Sequence, residues 1–81
     1  MYYIYVLQSQ GDNNLYIGIT KNIKKRLFEH NSGKNLSTKY RIPFRLIFSE
    51  AVKDRKIARA REKYLKSGCG REWIKQKYMR L

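Results

Sequence analysis

Residues 15–30, LYIGITKNIKKRLFEH, hold the densest set of chemically useful side chains in the sequence: Tyr16, Lys21, Lys24, Lys25, Arg26 and His30. A second phenol, Tyr5, lies upstream in YYIYVL. Phenols and imidazoles carry protons, whereas guanidinium and ammonium groups bind anions. Brought together, these groups would do acid–base chemistry on an anionic substrate. Arg26 and His30 are four apart and share a face wherever that stretch is helical. Gly18 interrupts a strand-like run, at the kind of position where another backbone or a ligand approaches closely.

The elements that must position these groups can be read in order. Residues 2–7, YYIYVL, are β-branched and aromatic, as in a well-buried strand. Residues 8–14, QSQGDNN, are turn formers, so residues 2–8 and 15–19 are expected to pair as an antiparallel hairpin with a longish loop. That hairpin can place Tyr5 and Tyr16 on one sheet face. A basic helix follows, with Ile23 and Leu27 on its apolar side, Thr20 or Asn22 as its cap and Gly33 as its stop. Residues 34–42, KNLSTKYRI, lack periodicity and read as an exposed basic loop, where Lys39 is a candidate phosphate contact and Tyr40 could stack on a base. Pro43 precedes a third strand expected over residues 44–48. Asp54 caps a second helix, with Ile57, Ala58, Ala60, Tyr64 and Leu65 at helical spacing up to a break at Gly68-Cys69-Gly70. A last helix packs through Trp73, Ile74, Tyr78 and Leu81. The expected order is β-β-α-β-α-α, an α+β fold in one domain over residues 1–81.

Composition limits the partners. Lys and Arg number 19 against 6 Asp and Glu, giving +13, and the basic residues are spread through the whole chain. Such a charge favours nucleic acid, because neutralising phosphates releases condensed counterions. An anionic membrane surface is the rival partner, but the basic residues do not line one amphipathic helix, and no apolar run approaches a membrane span. At 42% hydrophobic residues the chain has enough apolar surface to fold. A single cysteine, Cys69, and no signal-like start point to a reducing, cytoplasmic setting. One histidine and one cysteine are too few for a structural zinc site.

The tripeptides Tyr3-Ile4-Tyr5 and Tyr16-Ile17-Gly18, on paired strands at this separation, resemble the signature of the GIY-YIG nuclease superfamily, with Tyr3 in place of the first glycine. The resemblance extends over nearly the whole sequence and is to the small stand-alone bacterial, UPF0213-like branch. It implies a three-stranded antiparallel sheet flanked by helices, in which the strand after the first helix joins the hairpin. It also implies a metal-dependent endonuclease acting on DNA. Arg26 and His30 match the family's helix residues, and Glu62 matches its metal-binding glutamate, which would hold a single Mg²⁺ or Mn²⁺. One of Tyr5 and Tyr16 would activate the water and the other would position it or the phosphate. The resemblance does not say which.

The implied chemistry has a physical basis. Phosphodiester hydrolysis needs an oriented water, a base beside it, and positive charge where the phosphate becomes more negative. A phenol with a pKa near 10 is a poor base at pH 7, but the charges of Lys21, Lys24, Lys25 and Arg26 are expected to favour the phenolate. Arg26 would grip the phosphate with a planar fork. Gly18, Lys24, Lys25, Lys39 and Tyr40 are candidate substrate contacts, and Lys21 would contact phosphate or tune a tyrosine. The six acidic residues are scattered, which argues against a two-metal carboxylate cluster. Larger family members add domains that choose the target. A chain without them should have little sequence preference, or be targeted by a partner protein, and is expected to be a monomer. The alternative is a nucleic-acid-binding module of the same fold that has lost catalysis.

Overall fold

Apolar or aromatic residues at successive positions of YYIYVL leave neither face of that strand for water, so both sides of the sheet must be covered. The computed structural model describes residues 1–33, 40 and 42–78 and has this arrangement. β1 (Tyr2–Ser9) is the middle strand of an antiparallel sheet of order β2-β1-β3, between β2 (Leu15–Thr20) and β3 (Phe44–Val52). α1 (Ile23–Asn31) covers one face, and α2 (Arg55–Lys66) with α3 (Gly68–Tyr78) covers the other. The fold is α+β in the expected β-β-α-β-α-α order.

Alternate side chains of β1 feed two cores. Ile4 and Val6 join Leu15, Ile17, Ala58, Leu65 and Ile74, with Phe48, Trp73 and Tyr78 packed against them. Tyr5 and Leu7 join Phe44, with Tyr16, Leu27 and Leu46 alongside. β3 contributes to both. Its register slips where Leu46 faces Leu7 and Phe48 faces Val6, which leaves Ile47 as the extra residue of a β-bulge. Phe44 and Leu46 therefore face α1, while Phe48 and Val52 beyond the bulge face α2 and α3.

Three details differ from the sequence expectation. β3 runs on to Val52, past residue 48, because its pairing with β1 continues through Glu50 opposite Ile4 to Val52 opposite Tyr2, and Glu50 in this polar second half is gripped by Arg61 through Nε (2.9 Å) and Nη2 (3.2 Å). On α2 only Ala58 and Leu65 are buried, whereas Ile57, Ala60 and Tyr64 are exposed, since residues seven apart suffice to seat the helix on the sheet. The Gly68-Cys69-Gly70 segment is the first turn of α3, so Ser67 alone separates α2 from α3. The Ser67 hydroxyl accepts the Gly70 N–H at 3.2 Å, and a Cβ on Gly70 would collide with the Tyr64 carbonyl. Leu81 and Lys39 lie outside the described residues. Among the described residues no helix is long and apolar enough to cross a membrane.

Candidate active site

Gly18 of β2 is the cross-strand partner of Tyr5 on β1. A Cβ at position 18 would stand 2.6 Å from the Tyr5 hydroxyl oxygen and 2.7 Å from ring carbon Cζ, so the missing side chain lets the Tyr5 ring lie across β2. The room beside Gly18 on this face is thus occupied by a phenol.

α1 is fixed at both ends. At its start Asn22 accepts the Lys25 N–H through Oδ1 (3.1 Å), and the Thr20 hydroxyl accepts the Asn22 N–H (3.1 Å), forming the turn out of β2. At its end the Asn31 amide exchanges two hydrogen bonds with the Phe44 backbone, accepting at 2.6 Å and donating at 3.1 Å. Between these ties Arg26 and His30, one turn apart, reach back to the sheet. Arg26 Nε donates to the Tyr5 hydroxyl oxygen at 3.3 Å, while Nη1 pairs with Glu29 at 3.5 Å. His30 Nε2 lies 3.3 Å from the same Tyr5 oxygen. The His30 ring is fully buried, with centroids 4.7 Å from Tyr16 and 5.8 Å from Phe44.

Burial sets the protonation of this cluster. It pushes the Tyr5 phenol above its ordinary value of 10.0, outweighing the Arg26 hydrogen bond that favours the phenolate, and the neighbouring Tyr16 adds to the rise. The expectation that nearby cations would dominate is therefore reversed at Tyr5: at 2% exposure the loss of water costs the phenolate more than one guanidinium returns. His30 is held below its usual 6.5, first by burial and then by the Arg26 charge, against a smaller opposite pull from Glu29. It is neutral at pH 7. In the tautomer with the proton on Nδ1, its Nε2 is an acceptor for the Tyr5 hydroxyl.

A cleft of about 540 Å³ runs past β2, bordered by Tyr5, Tyr16, Gly18, Lys21 and Arg26 and, from α2, by Glu62. Six candidates chosen from the sequence thus share one concavity. His30 stands behind Tyr5 and outside the lining, Lys25 borders a shallower depression with Lys21 and Arg26, and Lys24 and Tyr40 are exposed away from the cleft. Residues not anticipated also line it, among them Tyr2, Arg55, Arg59, Lys66 and Arg71. Positions 55, 59, 62 and 66 follow 4-3-4 helical spacing, the one signal that could have marked them.

The donor set suits one hard cation with few protein ligands. No three His, Cys, Asp or Glu side chains cluster among the described residues, and Glu62 offers a single carboxylate, 3.4 Å from Lys66 Nζ. Mg²⁺ retains several waters and commonly takes only one or two carboxylates plus substrate phosphate, so these residues fit such an ion.

Comparisons with known proteins agree with this frame. The family model of the GIY-YIG catalytic domain matches residues 1–78. A UPF0213 protein of Streptococcus pyogenes serotype M5 is 40% identical over 65 residues, spanning 79% of this chain and 70% of the relative. One from Streptococcus agalactiae serotype V has the same identity over 65 residues, with 79% and 73% covered. The solution NMR structure of a UPF0213 protein from Bacillus halodurans is 31% identical and matches with a TM-score of 0.58 over 96% of this chain and 87% of that one. With its paired-strand tripeptides, its sheet order and its family match all in agreement, this chain belongs to the GIY-YIG family.

Proposed function

We propose that the chain is a metal-dependent nuclease that hydrolyses DNA phosphodiesters with little sequence preference. The observation that carries this reading is the convergence of Tyr5, Tyr16, Arg26 and Glu62 on one cleft. Its family match to a catalytic domain supports it.

The residues divide the work as follows. The Arg26 guanidinium lines the cleft, where it holds a non-bridging phosphate oxygen and stabilises the charge that builds on it. Tyr5 is the phenol placed for proton transfer, since its oxygen accepts from Arg26 and lies 3.3 Å from His30 Nε2, which accepts the Tyr5 proton in the Nδ1-protonated tautomer. A water placed against Tyr5 attacks phosphorus, gives its proton to the Tyr5 oxygen, and the Tyr5 proton moves to His30. The P–O bond to the departing strand breaks, leaving a phosphomonoester on one product and an alkoxide that takes a solvent proton on the other. This relay needs no standing phenolate, which fits a Tyr5 pKa raised by burial. Tyr16, stacked 6.2 Å from Tyr5, positions the water or phosphate. Glu62 would hold the divalent ion, Mg²⁺ or Mn²⁺, which supplies positive charge to the phosphodiester when bound.

Incubation with supercoiled plasmid and Mg²⁺ or Mn²⁺ tests the reading. Nicking is expected, and it should be lost in Tyr5→Phe, Arg26→Ala and Glu62→Gln. Equal nicking by all three variants would refute it. One observation favours a second reading, a binding module without turnover: the Tyr5 hydroxyl is satisfied within the protein and shifted away from ionisation. That reading expects salt-sensitive binding of nucleic acid, no dependence on metal, and no nicking.

A further inference from the structure

The cleft has two walls, and the catalytic residues occupy chiefly one. Tyr5, Tyr16, Lys21 and Arg26 come from the sheet and α1. The opposite wall is Arg55, Arg59, Glu62 and Lys66 on α2 with Arg71 from α3. Lys66 is paired with Glu62. Arg55 and Arg59 are exposed and, among the described residues, have no salt-bridge partner. Two long cationic side chains are thus held four apart on one helix face beside the cleft, across from Arg26. Their spacing along the axis is about 6 Å at 1.5 Å rise per residue, comparable to that of successive phosphates along a nucleic-acid strand.

We propose that Arg55, Arg59 and Arg71 form a phosphate-binding wall that grips the backbone of the strand on the far side of the cleft from Arg26, flanking the phosphate that Arg26 holds. The proposal rests on the nuclease reading only for the location of that central phosphate. Polyanion binding by the wall itself does not require turnover. Guanidinium groups suit the task because their fork matches phosphate oxygens and they stay charged at any working pH. Glu62 sits within this row of cations, between Arg59 and Lys66, so the strand meets positive charge on either side of the one carboxylate. The wall therefore sets affinity and register, whereas Tyr5 and Arg26 set the chemical step.

Fluorescence anisotropy with a labelled oligonucleotide, in chelator and across a salt series, reads the wall apart from catalysis. Arg55→Ala with Arg59→Ala should weaken binding roughly tenfold and lower the salt slope by about two, and Arg71→Ala should lower it by about one. Arg55→Lys with Arg59→Lys should recover most of the salt slope, because the charge is retained. A control that removes two charges outside the cleft, Lys53→Ala with Lys75→Ala, should change affinity much less. Circular dichroism of each variant confirms that these exposed substitutions leave the fold intact. Wild-type affinity and salt slope in the Arg55/Arg59 variant, or an equal loss in the Lys53/Lys75 control, would overturn the wall. Absence of cleavage by the wild-type chain, with binding still lost in the wall variants, would refute the nuclease reading and leave the wall standing.

Discussion

The two faces of the sheet are made from alternate residues of the same strands, yet they are built on different principles. Behind α2 and α3 the contacts are aliphatic: Ile4, Val6, Leu15, Ile17, Leu65 and Ile74, with an aromatic trio of Phe48, Trp73 and Tyr78 at the margin. Behind α1 the buried groups include a phenol and an imidazole, hydrogen-bonded to each other and adjoining a guanidinium. The first face gains stability from removing apolar area from water. The second forgoes part of that gain to bury polar groups, which is tolerable because they are satisfied: no buried side-chain nitrogen or oxygen among the described residues lacks a partner. One face holds the chain together, and the other holds protons in place.

That division can be broken from either side. The largest effect is expected from Tyr5→Phe, which keeps the ring over Gly18 and removes only the oxygen shared by Arg26 and His30. Plasmid nicking should fall by about 10²–10⁴-fold, whereas stability falls by only about 1–3 kcal/mol. Ile4→Ala on the other face should do the reverse, costing roughly 2–5 kcal/mol in urea denaturation with nicking per folded molecule unchanged. Comparable loss of nicking in both variants would show that the faces are not separable. Gly18→Ala sharpens the contrast, since its Cβ must displace the Tyr5 ring. A cost of about 1–3 kcal/mol should be accompanied by a loss of nicking larger than in any aliphatic-face variant of equal stability.

A pH series extends the test. His30 has a depressed pKa, so the folded chain binds fewer protons there than the unfolded chain. Its contribution to stability is complete above the unfolded value of 6.5 and is lost as pH falls from there through the folded value. Nicking should fall over the same acid window, because protonated His30 cannot accept the Tyr5 proton. His30→Gln should flatten the stability change, as followed by thermal melting at pH 7.5 and below 6.5. The smallest effect on stability is expected from Glu62→Gln. Its pairing with Lys66 is an i,i+4 contact with a half-exposed lysine, worth up to about 0.5 kcal/mol, so melting should barely move while Mg²⁺-dependent nicking is lost.

Much of this arrangement was legible because the motif residues occupy positions with strong local rules. The runs around Tyr5 and Tyr16 are strand formers separated by turn formers, and Asn22 and Asp54 cap their helices as their side chains suggest. Periodicity alone could not reveal that Gly18 makes room for Tyr5, since that depends on which residue faces it across the strands. Arg55 and Arg59 were hidden for the opposite reason. With 19 Lys and Arg in 81 residues, two more cations on a helix give no contrast until the cleft beside them is seen. The burial of His30 was likewise unreadable, because it follows from the tie between Asn31 and Phe44, thirteen residues apart and on different elements.

The sheet order carries one more consequence, for how copies of the chain behave together. Among the described residues β2 has a strand neighbour on only one side, and an unpaired edge is a template to which another chain can add. The cations of the adjoining cleft, Lys21, Arg26, Arg55 and Arg59 among them, turn away the same charges on a second copy. A polyanion in short supply cancels that repulsion and crosslinks molecules, whereas excess polyanion coats each one separately. Light scattering during an oligonucleotide titration should therefore rise and then fall, with its maximum near charge balance, and added salt should flatten the peak.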